Sequence, residues 1–101
     1  MRTLKELLII LRDSIKDEKY LVSGLCYEVG ELIRKRKLTW EEYITLRNFI
    51  KDNKPKRGQF DYVKEQEQYG WYWIPGQVAP RVRWLNYWIA KLEKEESNKR
   101  T

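Results

Sequence analysis

The spacing of apolar residues near the start of the chain constrains the fold more than any other feature of the sequence. Between Thr3 and about Asp17, apolar side chains recur at the i, i+3, i+4, i+7 and i+11 positions that share one face of an α-helix. These residues are Leu4, Leu7, Leu8, Leu11 and Ile15. Ile9 and Ile10 widen the stripe, which allows the helix to contact a second element or another subunit. The pattern therefore predicts that the chain begins with an amphipathic helix.

Two capping boxes mark the starts of helices. Thr3-x-x-Glu6 precedes the first helix, and Thr39-x-x-Glu42 precedes a helix predicted from Trp40 to about Lys51. In each box the threonine side chain and the glutamate side chain can satisfy backbone N–H groups of the first turn. The buried face of this third helix is predicted to consist of Tyr43, Leu46, Phe49 and Ile50.

A second helix is predicted between these two, from Tyr20 to about Lys37. Its apolar face is predicted to be Val22, Leu25, Cys26, Val29 and Ile33. Gly24 falls inside this pattern and costs helix stability relative to alanine, so we interpret it as a point of close packing. The run Arg34-Lys35-Arg36-Lys37 occupies the predicted last turn, where cations complement the helix dipole. This run is either a solvated helix end or a phosphate-contact patch.

The last helix is predicted to begin at Pro80, because proline is well accommodated at the first helical position. Its core face is predicted to be Val82, Leu85, Ile89 and Leu92. An irregular, tryptophan-rich loop precedes it, and a frayed tail is expected over about residues 94–101. The predicted fold is all-α, a compact bundle of four main helices, and residues 1–101 are expected to form a single domain.

Composition narrows the possible functions. The net charge of +6 favours anionic partners. There is no histidine, and Cys26 is the only cysteine, so the chain lacks the residues for histidine-dependent nucleophilic catalysis, for an internal disulfide or for the usual zinc site. We therefore expect a protein that is not an enzyme and that has no cofactor or metal. The longest early apolar run is too short to span a bilayer, so we expect a cytoplasmic protein with no membrane partner.

Residues 69–92 contain four of the five tryptophans, and no Asp or Glu occurs from Gln68 to Leu92. Aromatic faces beside guanidinium groups suit an anionic ligand with rings, although the same rings can simply form the core. The predicted ligand contacts are Trp71, Tyr72 and Trp73 for stacking, Arg81 and Arg83 for phosphate, Trp84 beside them, and Arg34 and Arg36 as secondary contacts.

Three segments of the sequence resemble a family of small proteins encoded by bacteriophages and prophages. The segments are Gly24-Leu25-Cys26, Thr39-x-x-Glu42-Tyr43 and Tyr72-Trp73-x-Pro75-Gly76-x-x-x-Pro80-Arg81-x-x-Trp84-Leu85. The resemblance covers about residues 20–92 and identifies no catalytic residue. Short accessory proteins of phages often inhibit host defences, and some sequester nucleotide signals, so the resemblance implies an anti-defence role in the host cytoplasm.

The residues alone leave three functions open, and the resemblance favours one of them over the other two. The prediction is a non-catalytic protein that sequesters an anionic nucleotide-type immune signal, such as a cyclic oligonucleotide or an ADP-ribose derivative. A homo-oligomer with sites at subunit boundaries is expected from the broad stripe of the first helix. The first alternative is a protein-binding inhibitor of a host defence complex. The second is a nucleic-acid-binding accessory protein.

Overall fold

The part of the chain that the structure describes contains four α-helices. The computed structural model describes residues 1–19, 21, 24–53 and 78–99, except for the side chains of Ala79, Pro80 and Lys99. The helices are α1 (Leu4–Ile15), α2 (Leu25–Arg34), α3 (Trp40–Asn53) and α4 (Val78–Lys99). The prediction of an all-α bundle with four main helices is confirmed. The predicted tryptophan-rich loop lies outside the described residues.

Helix α1 is the centre of the bundle. It contacts each of the other three helices, most extensively α4, while α2 packs mainly against α3. Leu7, Leu8, Leu11 and Ile15 are fully buried, and Ile9 and Ile10 are partly buried against the same core. Contacts on several sides account for the broad apolar stripe within one chain. The width of the stripe is therefore not evidence for a homo-oligomer. The homo-oligomer stays a prediction.

The predicted capping boxes are present at α1 and α3. Thr3 Oγ1 accepts a hydrogen bond from the Glu6 backbone N–H at 3.2 Å, and Glu6 Oε1 accepts one from the Thr3 N–H at 3.0 Å. At α3, the same two bonds link Thr39 and Glu42 at 3.2 and 3.0 Å. Local sequence therefore determines where these two helices begin.

The predicted start of α2 at Tyr20 is wrong. The helix begins at Leu25, and Gly24 is its N-cap with an extended backbone. A Cβ added at Gly24 would meet no atom within 4 Å, so the prediction of close packing there is wrong as well. Glycine is instead accepted at this position because a helix N-cap tolerates it at little cost. The buried residues of α2 are Leu25, Val29 and Leu32; Ile33 is only partly buried.

Helix α4 is longer at both ends than the sequence predicts. It begins at Val78, two positions before Pro80, and it continues to Lys99 through most of the segment expected to be frayed. Lys5 Nζ lies 2.9 Å from Glu96 Oε2, which joins the end of α4 to the start of α1. This contact and the high helix propensity of Lys and Glu favour the extension of the helix at its C-terminal end.

The core lies where α1 faces the other three helices. Its buried apolar members are Leu7, Leu8, Leu11, Ile15, Leu21, Leu25, Val29, Leu32, Leu38, Leu46, Ile50, Trp84, Leu85 and Ile89. Tyr43 and Phe49 are partly buried against this cluster. Within the described ranges, no helix has both the length and the apolar character needed to cross a membrane.

Replacing Leu11 with alanine is expected to lower the free energy of unfolding by about 2–5 kcal/mol, because it leaves a cavity at the centre of the bundle. The exposed residue Asn48 on α3 provides the control, and Asn48→Ala is expected to change stability by no more than about 0.5 kcal/mol. Urea unfolding followed by circular dichroism measures both values. Equal effects of the two substitutions would contradict the central position of α1.

Candidate anion-binding surface

The basic run after α2 forms a tight helix end with an unusual residue in it. The Arg36 N–H donates to the Ile33 carbonyl at 3.0 Å, and the Lys37 N–H donates to the Leu32 carbonyl at 2.9 Å. This pair of bonds defines a Schellman motif, whose central position adopts a left-handed backbone and usually holds glycine. Here that position holds Arg36, with φ of 59°. A non-glycine residue in this conformation stores backbone strain.

We call residues 34–37 the basic loop. All four of its side chains are exposed. Arg34 forms an ion pair with Glu31 on the preceding turn. Among the described residues, no carboxylate pairs with Lys35, Arg36 or Lys37. The loop therefore presents three cationic groups to solvent that the described carboxylates do not neutralise, and such groups attract anions.

Arg2 fixes the position of the basic loop. Its Nη2 donates to the Lys37 carbonyl at 2.8 Å and to Glu42 Oε1 at 2.9 Å, while its Nε donates to Glu42 Oε2 at 2.9 Å. The Arg2 backbone N–H also donates to Glu42 Oε2, at 3.1 Å. The two parallel side-chain bonds make a bidentate pair, which fixes orientation as well as distance. The basic loop is thereby held against the start of the chain and the first turn of α3.

Glu42 is buried although it carries a charge. The side-chain hydrogen bonds from Arg2 hold the pKa of the Glu42 carboxyl far below its usual range, and the backbone N–H groups of Thr39 and Arg2 lower the pKa further. Burial alone would raise this pKa, so the hydrogen bonds outweigh desolvation. The sequence predicted Glu42 as a helix cap but did not predict the arginine that completes it.

Trp40 lies four residues beyond Arg36, and sequence reasoning did not identify it as a candidate contact. It is the first residue of α3, and 66% of its surface is exposed. The Tyr43 ring supports it from one side, with the two centroids 5.2 Å apart. A shallow recess of about 400 Å³ is lined by Met1, Trp40, Glu41, Ile44 and Thr45. The sequence feature that could have identified Trp40 as exposed is its position outside the predicted buried face of α3.

A groove of about 440 Å³ borders the basic loop. It is lined by Ile10, Asp13, Ser14, Leu32, Lys35 and Lys37. Arg12 lies 3.2 Å from Asp13, and Lys16 lies 3.6 Å from it, so the charge of the one carboxylate in the groove is balanced locally. The lysines therefore give the groove a positive character.

Arg81 and Trp84 do not lie at an exposed surface. Arg81 is 4% exposed and Trp84 is 1% exposed. Burial lowers the pKa of the Arg81 guanidinium. The prediction that these two side chains contact a ligand needs correction, because in this structure neither is accessible to a ligand arriving from solvent. The reason is that α4 turns Arg81, Trp84 and Leu85 toward the core. Because buried positions disfavour carboxylates, burial explains part of the absence of Asp and Glu from this stretch.

Trp84 belongs to an aromatic cluster that joins α3 and α4. Its centroid lies 6.2 Å from that of Phe49 and 6.4 Å from that of Trp88. Phe49 and Trp88 make an edge-to-face contact at 5.0 Å, and Tyr87 packs its ring against Trp88 at 5.5 Å. The sequence analysis allowed that the tryptophans of residues 69–92 form part of the core. Trp84 has this structural role.

The remaining predicted contacts that the structure describes lie on different helices. Arg83 is exposed on α4, whereas Arg34 and Arg36 are exposed at the end of α2. Trp71, Tyr72 and Trp73 lie outside the described residues. Among the residues that are described, no three His, Cys, Asp or Glu side chains are grouped so that they could hold a metal ion.

Comparison with known proteins adds no functional assignment. No protein-family model, curated protein or solved structure matches the chain. The resemblance to phage-encoded proteins therefore stays a prediction.

Arg36→Gly is expected to be more stable than Arg36→Ala by about 1 kcal/mol, because both remove the charge but only glycine relieves the left-handed backbone. Chemical denaturation of the two variants measures this difference. Equal stabilities, or a more stable alanine variant, would show that Arg36 carries no strain in the folded protein.

Glu42 is expected to make stability depend on acid. Its pKa in the folded protein is below the value of about 4.3 expected in the unfolded chain, so its contribution is complete above that value and is lost as the pH falls. Between about pH 5 and pH 3 the wild-type protein should therefore lose more stability than Glu42→Gln does. Urea unfolding at several pH values measures the slopes. Glu41→Gln, which removes the neighbouring exposed carboxylate, should keep the wild-type slope.

Proposed function

We propose that this chain is a non-catalytic binding protein for an anionic ligand of the nucleotide class. The observation that supports this most is Arg36. It holds a strained left-handed backbone in a loop of exposed cations, four residues from an exposed tryptophan. Strain of this kind persists where the surrounding structure enforces it, and it is concentrated at ligand contacts. Arg36 and Lys37 would contact phosphate, and the Trp40 ring would stack on a base.

The spacing of these groups suits a ligand with both a phosphate and a ring. Four residues of chain span at most about 14 Å between Arg36 and Trp40, and the arginine side chain can shorten this distance further. Glu41 lines the same recess as Trp40, so a phosphate would lie toward the basic loop and the ring toward Ile44. Arg2 holds the loop in one position, which reduces the entropy lost when a ligand binds.

The biological setting is part of the same proposal. The resemblance to phage-encoded proteins suggests that the ligand is an immune signal, either a cyclic oligonucleotide or an ADP-ribose derivative. Binding without turnover would lower the free concentration of such a signal in the host cytoplasm. Only some of the ligand contacts predicted from sequence belong to the surface centred on the basic loop. Arg34 and Arg36 belong to it, whereas Arg81 and Trp84 are buried.

Calorimetry with a panel of cyclic di- and trinucleotides and cyclised ADP-ribose derivatives is the test. At least one compound is expected to bind the wild-type protein at micromolar concentration. Arg36→Gln should weaken that binding about tenfold or more, because it removes a charge-assisted hydrogen bond. Trp40→Ala should weaken it to a similar extent, and Trp40→Phe should retain most of it, because the aromatic face is kept.

Lys51→Gln is the matched control, since it removes one exposed cation from the end of α3 without changing the basic loop. It should bind as the wild-type protein does. Inorganic phosphate and free nucleosides separate the charge contribution from the ring contribution. If none of the nucleotides binds at micromolar concentration, the proposal is wrong.

A second candidate function is favoured by the recess beside Trp40. Met1 is 78% exposed there, and together with Trp40 and Ile44 it forms an apolar surface next to the cations of the basic loop. Tryptophan in such a setting is typical of the residues that dominate protein–protein binding energies. An acidic partner protein of a host defence complex would fit this surface. Trp40→Ala would then abolish the complex with the partner protein, and nucleotide binding would play no part in that loss.

A further inference from the structure

Helix α4 carries a second cationic surface that is separate from the basic loop. Arg83, Tyr87 and Lys91 follow one another at intervals of four residues, and Lys94 follows three residues later. The four residues therefore share one side of the helix. All four are exposed. We call this row the α4 stripe. It extends about 16 Å along the helix axis, at 1.5 Å per residue.

Glu95 is the acidic residue of α4 that lies nearest to this stripe, four residues after Lys91. Glu95 and Glu96 line a recess with Thr3, Leu4 and Lys5 of α1. Glu93 lies about 120° around the helix from Tyr87, at 100° per residue. Lys91 and Glu95 are spaced to form an ion pair, but Lys91 Nζ instead lies 4.7 Å from the centre of the Trp88 ring. Within the described residues, neither Lys91 nor Lys94 is paired with a carboxylate.

The aromatic member of the stripe is held in place. Tyr87 is 42% exposed, and its ring packs against Trp88 at 5.5 Å with an interplanar angle of 83°. Trp88 is fixed in turn by its edge-to-face contact with Phe49. A ring that is ordered before binding loses little entropy when it stacks on a base.

We propose that the α4 stripe binds single-stranded nucleic acid. Arg83 and Lys91 are eight residues apart, which places them about 12 Å apart along the helix, with Tyr87 midway. Cations on both sides of an aromatic ring can contact the phosphates that flank one stacked base. Stacking requires an unpaired base, so this arrangement favours a single strand over a duplex.

This proposal is independent of the nucleotide site. Arg12 and Lys5 of α1 contact α4 through Asn86 and Glu96, whereas Ile10 lines the groove beside the basic loop. At 100° per residue these two sets of positions lie on different sides of α1. The α4 stripe and the basic loop also share no residue, so each can be changed without altering the side chains of the other.

Fluorescence anisotropy with a labelled twelve-nucleotide poly-dT or poly-rU strand, at several salt concentrations, tests the proposal. The wild-type protein is expected to bind both strands more tightly than a duplex of equal length. Tyr87→Ala should weaken binding about tenfold, and Tyr87→Phe should retain it, because one stacked base is lost only in the alanine variant. Lys91→Gln should also reduce the salt slope by about 0.7, as expected for one lost phosphate contact on a single strand.

Lys51→Gln controls for charge and should leave both affinity and salt slope unchanged. Circular dichroism verifies that each variant is folded, and Lys91→Gln keeps the test decisive if Tyr87→Ala unfolds. An equal loss in Lys51→Gln and Lys91→Gln would mean nonspecific attraction to the whole protein and would overturn the proposal. Preference for the duplex, or no binding of either strand at low salt, would overturn it as well. Failure here leaves the calorimetric test of the basic loop unaffected.

Discussion

The Glu42 carboxylate is the group on which the geometry of the candidate anion-binding surface depends. It is buried, and its oxygens accept hydrogen bonds from Arg2 and from the backbone of Thr39. A buried charge is tolerated only when it is paired and hydrogen-bonded, and the loss of one partner leaves the other uncompensated. The start of the chain, the basic loop and the first turn of α3 are therefore ordered together. The same Arg2 guanidinium also binds the Lys37 carbonyl, which carries this order into the loop.

The net charge of +6 is distributed unevenly over the molecule. Some carboxylates are used in internal contacts, as Glu42 is with Arg2, or at the contact between helices, as Glu96 is with Lys5. Cations are left exposed in the basic loop and along the α4 stripe. A modest excess of charge thus gives two local surfaces of positive potential, each with an exposed aromatic ring beside it. Attraction of anions to surfaces of this kind weakens as the salt concentration rises.

Local sequence rules predicted the features of the fold that depend on local contacts. The capping boxes at Thr3 and Thr39 satisfy backbone groups within one turn, so their sequence pattern is sufficient. The start of α2 was predicted too early because the apolar spacing continues before Leu25, whereas Gly24 is the N-cap of the helix. Arg81 was misassigned because the rotation of α4 about its axis depends on tertiary packing, which periodicity alone does not determine.

The candidate site was predictable only in part for the same reason. The cations of the basic loop are visible in the sequence, but a left-handed arginine is not, since glycine is the residue that signals this conformation. Trp40 was overlooked because the predicted ligand contacts were chosen around the other four tryptophans, which all lie in residues 69–92. The pairing of Arg2 with Glu42 spans forty positions, and no short-range pattern indicates it.

The central position of α1 has a consequence for how the protein is made. Its most extensive partner is α4, the 22-residue helix that is synthesised last among the described elements. During translation, α2 and α3 can pair with each other as soon as both have emerged, because they are neighbours in sequence. The apolar face of α1 that α4 covers stays uncovered until α4 has been synthesised. Until then, the nascent chain exposes a leucine-rich surface of the kind that chaperones bind.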